Sequence, residues 1–191
     1  MKKGFTLIEL LIVIGLLAIL STVAVLVINP AELLRQARDS QRVSDLGTVH
    51  SALGLYLATV SSPDFQNGLA TTTCVVGGDQ AVVTCSGSTR YSAGITATAT
   101  TTVAIARATD ATGWVRVNFG SIPGGSPLVG LPLDPVNDAT YFYAYGHDTL
   151  KYELTANLES ERYASSGTDD REGTDGGNNA TIYEVGNKLT I

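Results

Sequence analysis

The sequence predicts an α+β fold: a long N-terminal helix, transmembrane and then amphipathic, carrying a small antiparallel β-sheet head. Three observations predict it. The run from Phe5 to Ile28 is apolar apart from Glu9. Leu46, Val49, Leu53, Leu57 and Val60, widened by Ala52 and Tyr56, recur at the three- and four-residue steps of one helical stripe. Beyond residue 61 the chain turns to Gly, Thr and short alternating segments, the composition of strands and turns.

A helix over 5–28 spans roughly 36 Å at 1.5 Å per residue, enough to cross a bilayer with some tilt. Lys2 and Lys3 precede it, which the positive-inside rule assigns to the cytoplasmic side. A carboxylate inside such a helix is costly and asks for a partner. A cleaved secretory signal explains Glu9 poorly, because the apolar run continues past the small residues Ser21-Thr22-Val23-Ala24. An ordinary anchor explains the length but neither Glu9 nor the Gly4-Phe5 junction.

Lys3-Gly4-Phe5-Thr6-Leu7-Ile8-Glu9-Leu10-Leu11-Ile12-Val13-Ile14 resembles the N-terminal signature of type IV pilins and of type II secretion pseudopilins. The resemblance implies that residues 1–4 are a leader removed by a prepilin peptidase between Gly4 and Phe5. Phe5 then becomes the N-methylated first residue, and the helix is retained. Glu9 is then expected to meet the Phe5 ammonium of a neighbouring subunit. Such an ion pair in a low-dielectric helix bundle satisfies two costly charges and pins the register. The implied partners are further copies of the chain in a helical filament, the peptidase, pilus or secretion assembly machinery, and the cytoplasmic membrane before assembly.

The second helical segment, 29–60, begins at a kink expected at Pro30, with Asn29 as cap. Its first half carries Arg35, Arg38, Asp39, Arg42 and Asp45, read as a self-paired solvated face or as a collar meeting neighbouring subunits. His50 reads as a structural histidine.

Residues 61–191 form the head. Cys74 and Cys85 flank Gly77-Gly78-Asp79 amid β-prone residues, a hairpin over 74–85 that a disulfide closes in an exported protein, with two free thiols as the alternative. Ile95–Ala106 and the alternating Gly113–Phe119 read as strands. Gly130-Leu131-Pro132-Leu133-Asp134-Pro135-Val136-Asn137-Asp138, followed by the aromatic row Tyr141, Tyr143 and Tyr145, is similar to the head of the major pseudopilin and related pilins. Lys151–Ala156 is predicted to pair with that row through a turn at His147-Asp148, and 182–191 to return to the head as a last strand or hairpin. The Gly-rich acidic loop 165–179 offers Asp169, Asp170 and Asp175 as calcium ligands, which the resemblance to pseudopilins also implies; a surface loop without an ion is the alternative. Asn179-Ala180-Thr181 is a glycosylation sequon.

A formal charge of −6 and a pI near 4.8 give no electrostatic reason to bind nucleic acid. No phosphate loop, H-E-x-x-H or nucleophile motif occurs, so no enzyme and no required cofactor are expected. The expected function is a filament subunit, a surface pilus serving adhesion, motility or DNA uptake. A cell-envelope pseudopilus of type II secretion is the alternative, and a monomeric membrane-anchored binding protein the reading from another class.

Overall fold

The computed structural model of the chain describes residues 4–68, 73–76, 90–91, 97–100 and 103–191. Helix α1 (Leu7–Ile28) opens on a capping box. Thr6 Oγ1 accepts from the Glu9 amide, while Glu9 Oε2 accepts from the Thr6 amide and hydroxyl at 2.9 and 2.7 Å. Farther along, Ser21 and Thr22 donate their hydroxyls to the carbonyls of Leu17 and Ala18, which satisfies those donors inside the helix.

Asn29 ends α1 in a left-handed conformation, φ 45°, and at once caps α2 (Pro30–Thr59), with Pro30 in its first turn. The Asn29 carbonyl accepts from the amides of Glu32 and Leu33. The expected break is therefore a one-residue joint at Asn29, a residue type that tolerates the left-handed region. Together α1 and α2 form the long helical spine. Its C-terminal half lays Leu46, Val49, Ala52, Leu53 and Tyr56 into the core of the head, with Leu57 and Val60 partly covered at its edge.

The sheet runs β2-β1-β3-β4-β5, from β1 (Thr73–Val76), β2 (Ala97–Thr100), β3 (Ala144–Asp148), β4 (Lys151–Ala156) and β5 (Tyr183–Gly186). It is antiparallel from β1 through β3 and β4 to β5, as expected, but β2 adds a parallel edge to β1. Tyr145 and Leu154, opposite each other on β3 and β4, face α2 and share its core with Trp114 and Phe119. Cys74 lies in β1. Cys85 and the return strand of the expected 74–85 hairpin lie outside the described residues, and the expected disulfide with them.

Several expectations are corrected. Within Ile95–Ala106, β2 is followed by a short helix, α3 (Val103–Ala106). Gly113–Phe119 is not a strand: its only ladder contact among the described residues is a bridge between Asp110 and Asn118. Val115, Val117 and Phe119 are buried on one side of the alternation, while on the other only Trp114 is buried, Arg116 is half-buried and Asn118 is exposed, so packing of one side rather than strand pairing holds the segment. Gly113 lies so close to the Ala106 and Ala108 carbonyls that no side chain fits there. β3 starts at Ala144 rather than Tyr141, and His147 belongs to the strand, opposite Tyr152. The turn is Thr149-Leu150, where Thr149 takes φ 55°. Burial of Tyr145 and His147 carries the pairing past the polar pair that suggested a turn.

Candidate functional site

The N-terminal signature sits at the free end of the spine. Gly4 and Phe5 are exposed and precede the first helical turn, so the expected scissile bond is in accessible, non-helical backbone. The apolar side chains of α1 are uncovered: Leu7 is 82% exposed, and Val13, among the least exposed, is still 44% exposed. They are apolar on every side, with no polar face to turn toward water, so lipid or other apolar helices must surround them. At 22 residues α1 is about 33 Å long, a match to the hydrocarbon core of a bilayer. Glu9 is the one charge on this surface and, in the single chain, is held by Thr6. Thr6 was not singled out from the sequence, although Thr-x-x-Glu is the pattern that a capping box requires.

The collar on α2 is only partly solvated: Arg35 is exposed and Arg38 and Asp45 are half-buried. Arg42 and Asp39 are fully buried, and they tie the spine to the head. Arg42 donates Nε and Nη2 to the two oxygens of Asp134 at 2.7 and 2.8 Å, and Nη1 reaches Asp39 at 2.8 Å and Glu159 at 2.6 Å. Arg38 forms a second fork onto Glu159. Asp39 also accepts from the amides of Glu159 and Ser160. Burial works against the Arg42 charge, but the bonds to Asp134, Glu159 and Asp39 outweigh it and hold the guanidinium firmly protonated. The Arg38 bond lowers the Glu159 carboxyl below its usual range. Of the expected intrahelical pairs only Asp39–Arg42 forms. Arg35 turns to Glu32, and Asp45 accepts from the Tyr143 hydroxyl at 2.9 Å.

Local bonds fix the Leu131–Pro135 stretch. Trp114 Nε1 donates to the Pro132 carbonyl, and Asp134 Oδ1 accepts from the amides of Val136 and Asn137, closing the turn that aims its carboxylate at Arg42. His50 stands against the Tyr152 hydroxyl, 3.1 Å from its Nδ1, in a structural contact.

The acidic loop is ordered by its own backbone. Asp170 accepts from the amides of Gly173 and Ser166, which lowers its carboxyl, while Asp175 accepts from Gly177 and Glu184 and is raised by burial. Asp169 faces Arg171 and Arg162. The three line one open depression, but no group of three or more acidic, His or Cys side chains able to hold a metal ion occurs among the described residues. Asn179 Oδ1 accepts from Thr181, inside the sequon.

Comparison with curated proteins and with solved structures returns no match. Residues 1–25 do match one family model, the prokaryotic N-terminal methylation motif. With α1 standing free of the head behind Gly4-Phe5, the chain therefore carries at its N-terminus the prepilin-type signature of type IV pilins and pseudopilins.

Proposed function

We propose that the chain is a structural subunit that polymerises into a type IV pilus-like surface filament after cleavage between Gly4 and Phe5. The observation that carries this reading is α1: a membrane-length helix, apolar all round, uncovered by its own head, and bearing one carboxylate five residues into the processed chain. Before assembly it is stored in the cytoplasmic membrane. On assembly the α1 helices of successive copies replace lipid around one another, and Glu9 exchanges Thr6 for the ammonium of a neighbour's Phe5. The Arg42 network makes the transfer of force from helix to head rigid. A calcium ion on the 165–179 loop would require Asp169 to leave Arg162 and Arg171, and the reading stands without it. The pseudopilus is the second reading, favoured by the similarity of the Asp134-Pro135 stretch and acidic loop to pseudopilin heads.

The test is mass spectrometry of material sheared from the source cells. A dominant chain that starts at N-methylated Phe5, lighter by the two hydrogens of a Cys74–Cys85 bridge, is the expected result. A processed chain confined to the membrane fraction shifts the reading to a pseudopilus, and an uncut Met1 overturns both.

A further inference from the structure

The outer face of the sheet, turned away from α2, buries two carboxyl groups that the spine and the signature do not use. Glu153 on β4 and Glu184 on β5 are 0% and 1% exposed. In the β4–β5 register Glu153 lies opposite Gly186 and Thr155 opposite Glu184, so the two acids are diagonal neighbours on one face. Each uses one oxygen to hold the end of the chain. Glu153 Oε2 accepts from the Ile191 amide at 3.1 Å, and Glu184 Oε2 accepts from the Asn179 amide at 2.9 Å. The Glu184 amide in turn donates to Asp175. The loop backbone lies directly on the Glu184 carboxyl, and a Cβ at Gly177 would overlap it.

The second oxygen of each acid, Oε1, is buried and has no hydrogen-bond partner among the described residues. Two buried carboxylates in that position would repel, whereas a proton between them supplies the missing donor. The groups around the pair do little to stabilise two negative charges. Asp175 faces it from the loop, with Asp170 behind. Tyr91, neutral and buried, packs its ring over Gly146 of β3, and its hydroxyl accepts from Thr155. Among the described residues the cation on this face is Arg90, whose guanidinium is engaged by Thr155, Thr140 and Asn157 and stacked 3.8 Å over Phe142.

We propose that Glu153 and Glu184 form a proton-sharing clasp that seats the 174–191 segment on the sheet, and that alkaline ionisation of both unseats that segment while the rest of the head stays folded. Burial and the neighbouring Glu184 carboxyl push Glu153 up to about 9, and burial, with Asp175 nearby, raises Glu184 although its bond to Glu153 works the other way, in keeping with one retained proton at neutral pH.

The test uses the full chain in detergent micelles with a metal chelator present, so that protons are the only ligands offered. Hydrogen-exchange protection factors, which divide out the base catalysis of exchange, are measured at about pH 6 and pH 9.5 alongside the carboxyl-carbon titration of both residues. Expected is a loss of protection of about tenfold or more for the amides of Asn179, Glu184 and Ile191, with β3 and the β3-facing amides of β4 unchanged. Glu184→Gln, which keeps a hydrogen bond but cannot ionise, should remove that pH dependence. The proposal is overturned if both carboxyls titrate near their ordinary values, if protection in the 174–191 segment is the same at both pH values, or if Glu184→Gln leaves the pH dependence intact.

Discussion

Arg42 shows what one residue does in this chain. Its guanidinium is surrounded by Asp39, Asp134 and Glu159, three carboxylates drawn from the spine, the Asp134-Pro135 turn and the segment after β4. A buried pair is weak support for stability compared with a well-packed apolar core, but removing one partner strands the others. Arg42→Ala is therefore expected to cost about 3–5 kcal/mol, read from urea unfolding of the full chain by the fluorescence of buried Trp114. A loss under about 1 kcal/mol would mean that water reaches the carboxylates and the network is not the tie described. This network was not legible in the sequence. Spacing along α2 reveals that Arg42 can meet Asp39, but Asp134 is 92 positions away, and only the fold brings them together. The capping box was legible, because both of its members lie within one turn.

At the scale of elements, local pattern carried the helices and lost the irregular parts of the head. The apolar run, the Asn29-Pro30 joint and the stripe from Leu46 onward are short-range periodicities, and they gave α1 and α2 nearly to the residue. β4 and β5 alternate visibly for the same reason. Gly113–Phe119 alternates too and buries Val115, Val117 and Phe119 on one side, but the period reports which side is covered and carries no information about pairing. His147 was misplaced because its polarity suggested a turn, while its fold position is in the buried middle of the sheet. β3 also holds a test of how its outer face is built. Gly146 lies beneath the Tyr91 ring, and a Cβ there would stand 2.6 Å from a ring carbon. Gly146→Ala should displace Tyr91 and cost about 1–3 kcal/mol in the same unfolding measurement. The companion Tyr91→Phe, which keeps the ring and loses the Thr155 contact, should cost about 1 kcal/mol or less. Equal losses in the two variants would locate the energy in the hydroxyl instead of the ring.

For the whole molecule, the head is held by buried ionisable groups that disagree about pH, while the spine carries one carboxylate, held by Thr6 in the single chain and, under the proposed filament reading, passed to a neighbour's ammonium. Glu9→Leu should leave leader removal and membrane storage intact but abolish filaments, and normal filaments from that variant would sink the register-pin role. The head predicts a stability profile with two falling arms. Burial lowers His147 to about 4, and neither ring nitrogen has a hydrogen-bond partner among the described residues. Unfolded histidine takes its proton near 6.5, so between roughly 6.5 and 4 the unfolded chain binds the extra proton and the native state is favoured less as pH falls. That arm amounts to about 3 kcal/mol once pH is below both values. Glu153 works in the opposite direction. Its folded value of about 9 lies above the unfolded one, so the native state binds the extra proton and stability is lost as pH rises from about 4.5 toward 9. The unfolding free energy should therefore be greatest in mildly acidic solution. His147→Phe, which keeps a ring beside Tyr145, should flatten the acid arm and leave the alkaline arm in place. An acid arm of unchanged slope in His147→Phe would show that other groups, not this histidine, take up the protons.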